Sequence, residues 1–159
     1  MSKNEKTNVM RILDKVKISY SSYTYSHNDG LIDGISISRK MGQNQKQVFK
    51  TLVTKGNTKN YFVFVIPVDK ELDLKAAAKA VHEKSVEMIP VADINKVTGY
   101  IRGGCSPIGM KKQFMTVIDA SCKGFDSIIF SAGKIGYQVE VSPIELAYFI
   151  NANIEDITM

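Results

Sequence analysis

The chain has 159 residues, 44% of them apolar, two cysteines and a formal charge of +5. That is enough apolar material for one sizeable core in a single domain. Two cysteines with no CxxC or Cys/His spacing, beside only His27 and His82, argue against a zinc site and leave Cys105 and Cys122 as reduced thiols. The positive charge suits a polyanionic partner, which rewards each cation through counterion release, without by itself establishing one.

The first 17 residues are charged and amphipathic, with no apolar h-region or small-residue cleavage site, so no signal peptide is expected there. The run YFVFVIPV at 61–68 is too short to cross a bilayer, and the expected location is cytoplasmic, away from any membrane. Val9, Met10, Ile12, Leu13 and Val16 recur at three- and four-residue spacing and predict an amphipathic helix over 6–17. A strand over 19–27 follows, closed by the turn residues HNDG, then a short helix over 35–41 ending at Gly42. Strands 48–56 and 61–67 flank GNTKN and predict a hairpin.

DLKAAAKAVHEK (73–84) has an aspartate cap, a run of alanines and a basic end, and predicts a helix. VEMIP reads as a short strand. A helix from Val91 to about Val97 lies between Pro90 and Gly99, which suit a helix start and end. Strands are expected at 114–120 and 127–133, with 134–143 returning antiparallel, before a last helix over PIELAYFINAN capped by Ser142. Hairpins intermixed with helices predict a mixed sheet in an α/β or α+β domain.

Three segments carry residues able to do chemistry. GYIRGGCSPIGMKK (99–112) places four glycines and a proline within eleven residues. Gly103 and Gly104 can bring their amides up to a ligand oxygen, although a sharp loop needed only for topology is equally consistent. The segment matches neither a P-loop nor a dinucleotide fingerprint. Lys50 lies in a strand, with Val48 on its own face and Phe49 and Thr51 on the other. Alternation alone favours a solvated lysine; the other reading is a pocket charge for a phosphate, a carboxylate or an oxyanion. SAGKIG (131–136) brings Ser131 and Lys134 to a turn, and without a GxSxG elbow or a placed histidine and acid, Ser131 reads as a hydrogen-bonding group and not a nucleophile. His82 is expected on a helix face and His27 at a strand end bordering a pocket, neither as a general base. Tyr20, Tyr23 and Tyr25 read as packing residues, one of which can wall a pocket.

In this order, VFKTLV (48–53), GYIRGGCSPIGMKK and SAGKIGYQVEVSP (131–143), together with TYSH and LDLKAAAKA, resemble the YbaK (EbsC-like) family of trans-editing Cys-tRNA(Pro) deacylases. The resemblance implies one compact domain over 1–159, a mixed, partly barrel-like sheet surrounded by helices, working with no metal or organic cofactor. It implies action on the aminoacyl acceptor end of tRNA(Pro), with prolyl-tRNA synthetase as partner, clearing the cysteine that a near-isosteric pocket cannot reject. Carried onto this chain, it makes Lys50, Gly103 and Ser131 catalytic, Tyr25 a pocket wall, and Gly104, Cys105, Ser106 and Lys134 substrate-binding.

In that family the cysteinyl thiol attacks its own ester, releasing tRNA and a cyclic thiolactone. The protein orients the thiol and stabilises the oxyanion through amides near Gly103 and Gly104, and Lys50 holds the terminal adenosine or its phosphate. Several members carry Arg and Asp near Ile135 and Gln138, where this chain departs. An Ala-tRNA(Pro) deacylase, as in a related editing domain, is therefore one alternative, and a noncatalytic tRNA- or synthetase-binding module another.

Overall fold

Thr7 opens helix α1 (Asn8–Lys15) by accepting the Met10 N–H on its hydroxyl at 3.2 Å, and Val9, Met10 and Leu13 bury the stripe read from their spacing. The structure, a computed structural model, describes residues 5–159. After α1 come β1 (Tyr20–Thr24), α2 (Gly34–Lys40, capped by Asp33), and the hairpin β2 (Phe49–Gly56) and β3 (Tyr61–Pro67). Then follow α3 (Leu74–Ala80), β4 (Val86–Met88), a 3-10 turn leading into α4 (Ile94–Thr98), and β5 (Met115–Asp119). The chain finishes with β6 (Ile128–Ser131), β7 (Tyr137–Val141), α5 (Pro143–Ile150) and β8 (Asn153–Glu155).

Two sheets form, of order β4-β2-β3-β5-β8 and β1-β7-β6. The larger is mixed, with β2 antiparallel to β3 and β4, and β5 parallel to both β3 and β8. Its centre explains the continuous apolar run of β3. Val63 and Val65 face the main core with α1 and α5, whereas Phe62, Phe64 and Ile66 face a second core under α3. The two sheets join at a single parallel bridge, Val48 to Ile129, where Ile129 N–H donates to Gln47 C=O at 3.0 Å. Beyond it no ladder forms between β2 and β6, so the partly barrel-like sheet stays open.

Three expectations shift. The helix expected over 73–84 ends at Ala80, because His82 adopts a left-handed φ of 61° and Glu83 N–H turns back to Ala78 C=O at 2.9 Å. The helix expected from Val91 begins as 3-10 and becomes α-helical only at Ile94. The last helix stops at Ile150, where Asn151 turns left-handed at φ 55°, and Asn153–Glu155 then adds a parallel strand to β5. Among the described residues, no helix is long and apolar enough to cross a membrane.

Candidate active site

The open join between the sheets makes the site. Strand β4 pairs with β2 only at Thr54–Gly56, and β6 bridges only to Val48 just before it, so among the described residues the intervening edge of β2 has no neighbouring strand. Even-numbered positions of β2 turn toward β3, as Gly56 N–H does to Asn60 C=O at 2.8 Å. Odd-numbered positions turn outward, as Val53 C=O does to Ile89 N–H at 3.2 Å. Alternation therefore aims the Thr51 N–H and C=O at the free edge. A cavity of about 750 Å³ fills the wedge.

Lys50 reaches this cavity from β2, half-buried, and among the described residues its ammonium makes no hydrogen bond or ion pair. Ser131 stands on the opposite wall at the end of β6 and accepts the Gly133 N–H on its hydroxyl at 3.1 Å, which leaves its own proton to donate. Directly across the ladder from Ser131 is Gln138, 4% exposed and also lining the cavity. Tyr25 closes the wall beyond β1, tied by its N–H to Gly136 C=O at 2.9 Å, and burial pushes its phenol above the usual range. Asp33, Glu71 and Arg102 also line it but are all exposed, so Lys50 is the one half-buried charge among its described lining residues, beside neutral polar groups.

The glycine-rich loop supplies the third wall. Gly103 has φ +85°, and a Cβ there would meet Ile32 Cδ1 at 2.9 Å. Its N–H has no partner among the described residues, whereas Gly104 N–H donates to Ile101 C=O at 2.9 Å and is not available to a ligand. Gly104 serves instead as a close-packing point, because a Cβ there would sit 3.2 Å from Ile135 N. Cys105 lines the cavity, yet burial pushes its thiol up to about 11 with only partial relief from the Thr98 hydroxyl, so it is protonated at neutral pH. Cys122 is also pushed up to about 11 by burial and packs in the main core.

Of the residues singled out from sequence, the structure thus brings Tyr25, Lys50, Gly103, Cys105 and Ser131 to one cavity. Gly104, Ser106 and Lys134 are not on its lining. Ser106 is fully buried with its hydroxyl accepting Ile108 N–H at 3.4 Å, and Lys134 points away to pair with Glu5 at 3.0 Å over the Tyr137 ring. His27 packs near Gly136 and does not line the cavity, and His82 is exposed at the end of α3. Among the described residues, no group of three or more histidine, cysteine or acidic side chains is placed to hold a metal.

A family profile described as the aminoacyl-tRNA editing domain matches residues 36–149, a span that includes β2, the glycine loop and the Ser131 turn. The chain belongs to the aminoacyl-tRNA editing domain family. A relative in Enterococcus faecalis, EbsC, named for Cys-tRNA(Pro)/Cys-tRNA(Cys) deacylation, is 43% identical over 97% of this chain and 94% of its own. A Bacillus subtilis protein without a functional name, YwhH, is 25% identical over 73% of this chain and 68% of its own. Among solved structures, one named for trans-editing beside prolyl-tRNA synthetase superposes with a TM-score of 0.80 at 17% identity, over 98% of this chain and 99% of that one. At that identity the match speaks for the fold alone.

In this aminoacyl-tRNA editing protein, the cavity offers a cation, a free amide and neutral hydroxyl and amide groups, with no activated protein nucleophile. Such a site can orient an ester and hold charge that develops on its oxygen. Three of its polar contributors were not read as site residues from the sequence. Arg102 hides in a loop read for its glycines. Gln138 is polar in a strand whose two faces are both covered, which is itself a signal, since Tyr137 and Val139 beside it are buried too. Thr51 looks like an ordinary strand residue.

Proposed function

We propose that this protein is a cytoplasmic trans-editing deacylase that clears Cys-tRNA(Pro), with prolyl-tRNA synthetase as its partner. The observation that carries the reading is the convergence of Lys50, Gly103 and Ser131 on one cavity whose protein thiol, Cys105, is held protonated by burial. A site without a protein nucleophile fits a substrate that brings its own. The cysteinyl sulfur attacks the ester carbonyl carbon, forming a C–S bond. The bond from that carbon to the tRNA 3′ oxygen then breaks, and the thiol proton ends on that oxygen. Water later opens the thiolactone to free cysteine. The Gly103 N–H faces the developing oxyanion, Ser131 donates its proton to a polar atom of the aminoacyl group, and the Lys50 ammonium holds a phosphate of the acceptor end.

The test is deacylation of Cys-, Ser- and Ala-tRNA(Pro) by the full chain, with and without prolyl-tRNA synthetase, beside Lys50→Ala. Lys50→Ala is expected to lose about 100-fold or more in kcat/KM, in line with losing an electrostatic contact at the reacting centre. Its thermal stability should stay close to that of the parent, because the ammonium has no partner within the described residues. A fully active Lys50→Ala overturns the assignment. Rapid release of alanine points instead to an alanine-specific editor, and salt-dependent binding without turnover to a binding module.

A further inference from the structure

Thr51 keeps polar groups that nothing among the described residues satisfies. Its hydroxyl oxygen is buried and, among the described residues, has no hydrogen-bond partner. Its main-chain N–H and C=O face the one stretch of β2 that neither β4 nor β6 covers. The residue is partly exposed and lines the cavity, so a rotation about χ1 would carry the shielded hydroxyl to the space a ligand would occupy. A buried hydroxyl without a partner destabilises the free protein, whereas valine has the same branched shape, favours strands and carries no such penalty. A threonine here is explained by a contact made only when the cavity is filled.

The surroundings narrow what that contact is. Across the wedge, Gln138 and Gln43 exchange amide hydrogen bonds, which leaves each amide one N–H and one lone pair over. Ser131 has a proton to give. Lys50 apart, the charged groups Asp33, Glu71 and Arg102 are exposed, so the part of the interior beside Thr51, Gln138 and Ser131 suits a small, uncharged, hydrogen-bonding group.

We infer that Thr51 is a specificity-determining residue whose unpaired hydroxyl meets the hydrogen-bonding side chain of the aminoacyl group, a thiol or a hydroxyl. The inference rests on the deacylase reading above. A methyl side chain such as alanine's leaves the Thr51 oxygen buried and unpaired, and sites built around a hydrogen bond reject analogues that lack it far more strongly than apolar pockets reject a missing methylene. Serine seats as cysteine does but brings a poorer nucleophile, so its ester binds and turns over slowly.

The experiment uses Thr51→Val and Thr51→Ser in the full chain, with kcat and KM for Cys-, Ser- and Ala-tRNA(Pro), thermal unfolding, and binding of the nonhydrolysable amides 3′-cysteinylamino- and 3′-alanylaminoadenosine. Thr51→Val is expected to unfold at the parent temperature or about 2–4 °C above it. Its kcat/KM for Cys-tRNA(Pro) should fall about tenfold or more while that for Ala-tRNA(Pro) is unchanged or rises, and Thr51→Ser should restore the ratio. A Thr51→Val variant that keeps the parent cysteine-to-alanine ratio overturns the inference. So does one that loses both activities together with stability. If the parent protein turns over no ester yet binds the cysteinyl amide more tightly than the alanyl amide, and Thr51→Val abolishes that difference, the deacylase reading falls and this one stands. Equal binding of the two amides by the parent protein overturns it.

Discussion

Gln43, just past α2, and Gln138, on β7, bind each other reciprocally: Gln43 Nε2 donates to Gln138 Oε1 at 2.8 Å and Gln138 Nε2 to Gln43 Oε1 at 3.3 Å. The pair fixes which atoms of a buried amide face the cavity, and it ties the α2 segment to the smaller sheet. Gln43→Ala leaves one donor and one acceptor of Gln138 unpaired in a buried setting, at a cost of about 1–3 kcal/mol. Thermal denaturation should register this as a fall of roughly 2–4 °C per kcal/mol. The freed amide also turns within the cavity, so kcat should drop beyond what the stability loss explains.

The two adjacent glycines of the 99–112 loop should respond differently to alanine. At Gly103 the backbone is left-handed, and the nearest obstacle is the mobile tip of Ile32. The strain of that conformation, about 1–3 kcal/mol, therefore dominates. At Gly104 the φ is ordinary, but a Cβ meets the main chain at Ile135 N and Lys134, within 3.2–3.5 Å. That contact pushes on the turn that carries Ser131. Gly104→Ala, although off the cavity lining, should lower kcat for deacylation with a smaller loss of melting temperature than Gly103→Ala.

Local signals made most of the fold legible in the sequence: the Ser142 cap, the apolar stripe of α1, the GNTKN turn, and the unbroken apolar run of β3 all act over a few residues. What escaped depends on distant partners. Strand β8 is three residues long and exists because β5 offers a parallel edge, and the end of α3 depends on a left-handed His82 that helix propensity does not reveal. The same holds for the site. Lys50, Gly103 and Ser131 stood out through the family motifs, but alternation alone gave Lys50 a solvated face. Both faces of β2 reach the cavity because the edge between β4 and β6 is open, and that opening is a property of two sheets meeting at one bridge. Thr51 and Gln138 owe their importance to the same wedge.

Burial sets a pH dependence that can be measured. The Cys105 thiol is raised from 9.0 to about 11 in the folded protein, chiefly by loss of solvent. Between those values the unfolded chain has released the proton and the folded chain still holds it, so stability falls as pH rises from about 9 to about 11. The loss amounts to roughly 2–3 kcal/mol for this group. Melting temperature followed across pH 8–11 should therefore decline less steeply in Cys105→Ala than in the parent. At pH 7 the thiol should resist alkylation in the folded protein, and deacylation should survive in Cys105→Ala, because the thiol that reacts belongs to the substrate.

Tyr100 links the glycine loop to the Ser131 turn through two different atoms. Its hydroxyl donates to Ile108 C=O at 2.5 Å, and the edge of its ring lies where a Cβ on Gly133 would be, 3.0 Å from Cε1. Burial pushes the phenol up to about 12, so it remains a donor throughout any working pH range. Tyr100→Phe removes only the first link. The Ile108 carbonyl, in a residue 1% exposed, is then left unpaired, and stability should fall by about 1–3 kcal/mol. Amide hydrogen exchange should speed up across 103–109 while the 131–136 turn, still packed on the ring, keeps its protection. Tyr100→Leu removes both links and should raise exchange in both segments. Equal exchange changes in Tyr100→Phe and Tyr100→Leu would show that the hydroxyl and the ring edge do not act separately.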